Sequence, residues 1–214
     1  MSSGNNQFLV IVAFGDSLTV GFQNRSTSNP FGLTYAYTRV LNDLMWGEVK
    51  KLGVNIFPVL ENEGAVGEST KGMLRRFDYA VTRHRPNIVV IWGGLNDIAS
   101  GVDPKDVVEN LKSIAEKVRQ IGATPVLCCL TPVVAKIDFL QIIQETNKLI
   151  SDMAMNEKII LVDLYAPLAG NDGLLKREYN NDGAHLSNEG YRAVGELIFR
   201  EAIQHILSNL KTEK

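Results

Sequence analysis

Ser17 stands where a serine could act as a nucleophile. It lies in Phe14-Gly15-Asp16-Ser17-Leu18, directly after the apolar run 8–13. A serine hydroxyl is a weak nucleophile until a base takes its proton, and the base works best when a carboxylate fixes its tautomer. About 165 residues further on, Asp182-Gly183-Ala184-His185 offers both a carboxylate and an imidazole. Together these residue types predict nucleophilic catalysis.

A serine after a strand more often caps a helix or closes a turn, so the histidine decides between the two interpretations. The chain has 3 histidines. His84 lies in a basic run at a predicted helix end and His205 near the end of the last predicted helix, and both have plain structural explanations. His185 follows Asp182 by three residues in a glycine-containing turn, a spacing that lets one short loop present a base and its orienting carboxylate.

A tetrahedral intermediate also needs donors for its negative oxygen. Three candidates are the backbone N–H of Ser17, the backbone N–H of Gly67 and the side-chain amide of Asn96. Taken singly, Gly67 is typical of a loop and Asn96 of a turn. Asp16 and Asp97 each adjoin one of these residues, and we expect them to support the loops by hydrogen bonding rather than to take part in the chemistry.

Hydrophobic patterning predicts the elements that must position these residues. Short apolar runs alternate with segments of helical period, which is typical of a parallel sheet covered on both faces. The predicted strands are Phe8–Phe14, Val54–Leu60, Asn87–Trp92, Thr124–Leu130 and Lys158–Val162. The predicted helices are Thr34–Trp46, Lys71–Arg83, Pro104–Ile121, Phe139–Met155 and Asn188–Leu210.

In such a sheet, ligands bind outside the carboxyl ends of the strands. Ser17 follows the first predicted strand, residues 61–67 follow the second, and residues 93–97 follow the third. The Asp182–His185 turn directly precedes the last predicted helix. All the candidate residues therefore fall at one edge of the predicted sheet.

Four short blocks resemble the SGNH hydrolases, also called the GDSL esterase/lipase family. They are Gly15-Asp16-Ser17-Leu18, Gly67, Gly94-Leu95-Asn96-Asp97 and Asp182-Gly183-Ala184-His185, in the order that the family has them. The resemblance implies a flavodoxin-like three-layer α/β/α sandwich with a five-stranded parallel sheet. Ser17 would be the nucleophile, His185 the general base and then acid, and Asp182 the orienting carboxylate.

The same resemblance implies an oxyanion hole made by Ser17 N–H, Gly67 N–H and Asn96. The match at the glycine block is the loosest of the four, so Gly64 competes with Gly67 for that role. We expect no cofactor and no metal.

The predicted activity is that of a serine esterase, which hydrolyses carboxylic esters of small soluble substrates through an acyl-enzyme. A carbohydrate O-deacetylase or a lysophospholipase-like enzyme could use the same site. A metal-dependent phosphoesterase built on Asp16, Asp97, Asp163 and Asp182 is a rival, but it leaves the pairing of Ser17 with His185 unexplained. A non-catalytic module that binds an anion at the first loop is opposed by the carboxylate of Asp16.

Side chains predicted to line the substrate pocket are mixed in character and could accept a short acyl chain or a sugar, although the aromatic ones could equally be ordinary packing. They are Phe22, Phe31, Leu33, Tyr35, Trp92, Leu95, Tyr165, Leu168 and Tyr179.

Bulk properties bound the remaining expectations. With 214 residues and 45% apolar content, the chain predicts a single domain over residues 8–214 after a flexible segment at 1–7. A net charge of −2 without a basic block gives no reason to expect nucleic acid as a partner. The N-terminal sequence has no positive region before its short apolar run, which predicts a cytoplasmic protein without stable membrane association. The oligomeric state is open.

Overall fold

Five parallel strands form one sheet in the order β2-β1-β3-β4-β5. The computed structural model describes residues 7–25, 31–32 and 34–212. The strands are β1 (Gln7–Gly15), β2 (Ile56–Gly64), β3 (Ile88–Trp92), β4 (Thr124–Cys128) and β5 (Ile160–Val162). Every neighbouring pair is parallel, which confirms the predicted sheet.

Helices cover both faces of the sheet and make the predicted three-layer sandwich. Within the described residues they are α1 (Ser17–Val20), α2 (Tyr37–Leu52), α3 (Thr70–Ala80), α4 (Leu95–Ala99), α5 (Pro104–Gln120), α6 (Ile137–Asn156), α7 (Asn188–Ile198) and α8 (Gln204–Thr212). A π-helical segment, Phe199–Ile203, joins α7 to α8. The last predicted helix is therefore interrupted rather than regular.

Two apolar cores lie on opposite faces of the sheet. Alternate residues of β1 divide between them, with Ile11 in the core under α2 and α7 and Phe14 in the core under α3, α5 and α6. The neighbours Cys128 and Cys129 divide in the same way, and both are free thiols. Because β1 and β3 are buried on both faces, their sequences read as continuous apolar runs instead of alternating ones.

The observed ends of several elements differ from the predicted ones for local reasons. Strand β2 continues to Gly64 because its register with β1 persists to the pair of Gly15 with Gly64. Helix α2 begins at Tyr37 rather than Thr34 and runs past Trp46 to Leu52, where Gly53 ends it in the left-handed conformation. Helix α3 ends at Ala80 and a 3₁₀ turn follows, so Arg83 is outside it.

Two short helices, α1 and α4, were not predicted. They have 4 and 5 residues, and a segment that short cannot show the 3.6-residue period by which helices are recognised in a sequence. Both lie at the carboxyl ends of strands, and they carry Ser17, Asn96 and Asp97.

The N-terminal prediction falls mostly outside the described residues. Gln7, which was expected in the flexible segment, is the first residue of β1, and its N–H donates to the Asn55 carbonyl at 3.4 Å. Residues 1–6 and Leu33 lie outside the described residues, and the single domain over 8–214 stays a prediction.

Candidate active site

The turn from β1 into α1 presents Ser17 at the carboxyl edge of the sheet. Asp16 is the N-cap of α1, and its Oδ1 accepts the N–H of Leu18 at 2.9 Å. Gly15 is required by the close packing of this turn, because a β-carbon there would lie 2.1 Å from the Trp92 carbonyl oxygen. Gly21, at a φ of 77°, then ends the helix after a single turn. Ser17 thus has little freedom to move.

Ser17, His185 and Asp182 form one continuous chain of hydrogen bonds. Ser17 Oγ lies 2.9 Å from His185 Nε2, and His185 Nδ1 lies 2.7 Å from Asp182 Oδ2. An ionised carboxylate can only accept, so Nδ1 carries the ring hydrogen and the Nε2 lone pair faces the serine hydroxyl. This is the arrangement in which an imidazole can take the proton from Ser17.

The Asp182 carboxylate is held by the turn in which it lies. Its Oδ1 accepts the backbone N–H of His185 at 2.7 Å and that of Ala184 at 3.1 Å. Gly183, at a φ of 103°, has a backbone conformation that side chains rarely allow. Partial burial raises the pKa of Asp182, but the hydrogen bonds from His185 and Ala184 outweigh it and hold the pKa below the usual value. The group is therefore ionised at neutral pH.

Helix α4 presents Asn96 to the same site. The Asn96 amide nitrogen donates to the Glu68 carbonyl at 3.0 Å and lies 3.4 Å from Asp16 Oδ2. The second contact is long, so that hydrogen is available for a stronger acceptor. Asp97, the next residue, is buried and accepts from the N–H and the hydroxyl of Thr70 at 2.9 and 2.8 Å. Asp97 thus ties α4 to α3.

The two candidate glycines have different surroundings. Gly67 is exposed in the turn after β2 at a φ of 73°, and its N–H has no hydrogen-bond acceptor within the part of the chain that the structure describes. Gly64 backs onto α1, where a β-carbon would lie 2.4 Å from Val20 N, and its N–H donates to Asn62 Oδ1 at 3.0 Å. Gly64 is thus occupied by packing, whereas Gly67 keeps a free donor.

A pocket of about 300 Å³ opens at this constellation. Ser17, His185, Asp182, Asn96 and Asp16 all line it, whereas Gly67, Gly64 and Asp97 do not. Its remaining wall is apolar apart from backbone, and is formed by Leu18, Leu95, Ala99, Val133, Val134, Ala135, Phe139, Gly183 and Ala184.

The predicted pocket wall was largely wrong. Of the residues expected there, Leu95 alone lines the pocket among those that the structure describes. Trp92 packs against Tyr37 inside the core, with ring centroids 5.6 Å apart, and Leu168 is also fully buried. Apolar residues after β4, such as Val133, take their place. The sequence did contain a signal for these pocket residues: they follow β4, and the carboxyl ends of the strands all lie at the edge of the sheet where the pocket opens.

Other residues at the site gave no sequence signal. Asn24 donates through its amide nitrogen to Asp182 Oδ2 at 2.5 Å. Arg76 donates to the Gly15 and Glu63 carbonyls at 2.9 and 3.0 Å and pairs with Glu68 at 2.6 Å. Asn24 lies in an irregular loop, and Arg76 reads as one more polar residue of a helix.

No group of three or more His, Cys, Asp or Glu side chains is arranged to hold a metal ion within residues 7–25, 31–32 and 34–212. Asp163, which belongs to the rival set, instead accepts the backbone N–H groups of Tyr165 and Ala166 at 2.8 and 3.2 Å. Asp163 therefore stabilises the loop that follows β5.

Comparison with known proteins identifies similar sequences and folds. The profile of the GDSL-like lipase/acylhydrolase family matches residues 13–193. A GDSL-like lipase from Bacteroides thetaiotaomicron is 25% identical, with a TM-score of 0.66, over 89% of this chain and 86% of that one. No match was found among curated proteins.

Two further solved structures share the fold. A lipase/acylhydrolase from Enterococcus faecalis is 23% identical, with a TM-score of 0.69, over 92% of this chain and 96% of that one. The acetyl xylan esterase AlAXEase is 20% identical, with a TM-score of 0.71, over 91% of this chain and all (100%) of that one.

Burial of Asp16 makes the stability of the protein depend on pH. Burial raises the pKa of Asp16 from 3.8 to about 7, and the nearby Asp97 and Glu68 carboxylates add to the effect, although the Leu18 N–H opposes it. The fold therefore favours the protonated form. The contribution of protonated Asp16 to the free energy of unfolding is fully present below about pH 4, and it is lost as the pH rises to about 7.

We predict that Asp16→Asn becomes progressively more stable relative to wild type between pH 4 and pH 8, by up to roughly 4 kcal/mol. The asparagine side chain can still accept the Leu18 N–H but carries no charge. Urea unfolding of both proteins across this pH range measures the difference. A difference in the free energy of unfolding that stays constant with pH would contradict this account of Asp16.

Proposed function

The chain belongs to the GDSL-like lipase/acylhydrolase family and is a carboxylic ester hydrolase, and we propose that Ser17 is its nucleophile. His185 acts as general base and acid, and Asp182 orients it. The observation that carries this proposal is the hydrogen-bond chain of 2.9 and 2.7 Å that ends at a pocket.

In the acylation step, Ser17 Oγ attacks the ester carbonyl carbon while His185 Nε2 takes the hydroxyl proton. The ionised Asp182 stabilises the imidazolium that forms. Collapse of the tetrahedral intermediate breaks the bond to the alcohol, which leaves with the proton from His185. A water molecule, deprotonated by His185, then attacks the acyl-enzyme and releases the acid, and the proton returns to Ser17.

The negative oxygen of each intermediate would accept hydrogen bonds from Ser17 N–H, Gly67 N–H and the Asn96 amide. Support comes from the partner-free N–H groups of Ser17 and Gly67 within the described residues, and from the weak 3.4 Å contact that Asn96 can exchange. Asp97 supports the site by fixing α4. Asp16 supports it by capping α1.

The apolar wall favours an acyl group with a short or medium alkyl chain. Leu95, Val133, Ala135 and Phe139 offer no side-chain donor or acceptor to a sugar ring. A volume of about 300 Å³ is at the small end for ligand pockets, which argues against a long fatty acyl chain.

The structure also offers support for a substrate whose alcohol portion is polar. A carbohydrate O-deacetylase is therefore the second candidate function. A neighbouring hollow of about 500 Å³ shares Val134 with the catalytic pocket. Its polar residues are Asn171, Asp172, Lys176, Arg177, Glu178 and Asn180. These side chains suit a hydroxylated alcohol that extends past Val134.

The partner implied by the family is a small-molecule ester. Within the described residues, no helix is both long and apolar enough to cross a bilayer. The cytoplasmic location and the lack of a nucleic-acid partner rest on the sequence alone and stay predictions.

We predict that Ser17→Ala lowers the turnover of p-nitrophenyl acetate by several orders of magnitude, because the change removes the hydroxyl on which the proposed acyl-enzyme forms. Steady-state kinetics of purified protein measure it, with Ser100→Ala as the matched serine control and EDTA as a test of the metal-dependent rival. Near-full activity of Ser17→Ala, or loss of wild-type activity with EDTA, would contradict the proposal.

We also predict that kcat/KM for p-nitrophenyl esters rises about fourfold per added CH₂ from acetyl upwards, until the pocket is full. The factor corresponds to roughly 0.8 kcal/mol for each buried CH₂. Ala99→Trp should remove most of this gain while leaving the acetyl ester a substrate, and Ser100→Trp, the next residue, should retain it. A flat profile together with faster hydrolysis of acetylated sugars would instead favour the deacetylase.

A further inference from the structure

We propose that Asn24 is a positioning residue that holds the Asp182 carboxylate and limits how strongly it binds the protonated His185. The inference rests on the proposed function of the triad. The Asn24 amide nitrogen donates to Asp182 Oδ2 at 2.5 Å, and this is the same oxygen that accepts from His185 Nδ1 at 2.7 Å. The carboxylate oxygen at the centre of the triad therefore has two donors.

Asn24 is itself held against the histidine loop by its backbone. Its N–H donates to Asn181 Oδ1 at 2.8 Å, and Asn181 Nδ2 donates in return to the Asn24 carbonyl at 3.4 Å. These bonds are made next to Asp182, so they fix the distance from which the Asn24 side chain reaches the carboxylate. The two hydrogen bonds to Asn181 thus position the Asn24 side chain toward Asp182.

The two preceding residues extend the same contact. The Phe22 ring packs on the imidazole of His185, with centroids 4.8 Å apart and planes at 60°. Gln23 Nε2 donates to the Leu186 carbonyl at 3.1 Å, and the Tyr191 hydroxyl donates to the Phe22 carbonyl at 2.7 Å. We name residues 22–24 the strap. The strap contacts the His185 ring, the Asp182 carboxylate and Leu186, the residue after His185.

The strap is also joined to the nucleophile. The Phe22 N–H donates to the Ser17 carbonyl at 3.0 Å, so the strap begins one turn after the serine that the histidine must reach. Nucleophile, base and orienting carboxylate are thereby held to one short stretch of chain, although His185 lies 168 residues from Ser17. Asn24 is the strap residue whose side chain touches the carboxylate.

Sharing one oxygen between two donors has a definite chemical consequence. Each donor draws negative charge from Oδ2, so Asn24 weakens the hold of Asp182 on the imidazolium while keeping the carboxylate in line with Nδ1. Without Asn24, the carboxylate would bind the imidazolium more strongly, and Oδ2 would lose one of the two donors that hold it in line with Nδ1. Ionisable groups near the pair include Tyr191 and Asp16, and Arg25 follows Asn24 in the chain; the test leaves all three unchanged.

The test compares Asn24→Ala, Asn24→Asp and Asn181→Ala by the pH profile of kcat/KM on p-nitrophenyl acetate. Asn24→Ala removes the side-chain donor. Asn24→Asp keeps the size and the backbone anchors but places a second negative charge beside Asp182. Asn181→Ala removes the bonds that anchor the Asn24 backbone but keeps the Asn24 amide donor, so it measures how far those anchors position the amide.

We expect kcat/KM to fall roughly tenfold or more in both Asn24 variants. The acid limb of the profile should move to higher pH, further in Asn24→Asp than in Asn24→Ala, because extra negative charge at Oδ2 holds the proton on His185. Asn181→Ala should move the acid limb in the same direction but by less than Asn24→Ala, because the Asn24 amide donor is still present.

Three results would overturn the proposal. One is an unshifted acid limb in folded Asn24 variants, and another is an equal loss with one common profile in all three variants. The third is loss of the native circular dichroism spectrum in both Asn24 variants, since that would make Asn24 a residue of the fold. Absence of ester hydrolysis by wild type would instead count against the proposed function itself.

Discussion

The hydrogen bond between Ser17 Oγ and His185 Nε2, 2.9 Å long, joins two parts of the chain that are 168 residues apart. In the proposed mechanism neither group could catalyse ester hydrolysis without the other, so the fold must hold two distant loops to within a fraction of an ångström. The parallel sheet does this because its strands all end at one edge. A residue that follows β1 and a loop that precedes α7 meet there, as does the helix α4 that follows β3.

Holding these loops together requires polar groups in places where burial is unfavourable. Asp16 caps the helix that begins at Ser17, and its burial raises its pKa to about 7. Arg76 offsets part of the negative charge of this region by its pair with Glu68, and it also donates to the Gly15 carbonyl at the end of β1. Such groups are retained where geometry matters more than stability. They lie beside the proposed catalytic residues and hold the loops at the observed distances from one another.

Sequence reasoning predicted the fold, and the meeting of Ser17, Asp182 and His185, better than it predicted the walls of the site. Ser17 and His185 could be recognised because their residue types carry chemistry and because patterning placed both at one sheet edge. The helices that carry Ser17 and Asn96 are too short to show a period. The pocket wall depended on which side chains point inward from loops, so Trp92 was expected in the pocket but lies in the core, and Val133 was overlooked. No sequence pattern identifies Asn24, because its proposed role depends on a contact with Asp182, which is 158 residues away in the chain.

The central claim, that Ser17 forms the acyl-enzyme, can be tested most directly by trapping that species. Wild-type protein is mixed with a p-nitrophenyl ester, quenched in acid during turnover and mapped by peptide mass spectrometry. The account predicts that the acyl mass is attached to Ser17 and that His185→Ala, treated in the same way, carries none. An acyl group on another residue, or rapid hydrolysis without any acylated peptide while the ester remains in excess, would contradict it.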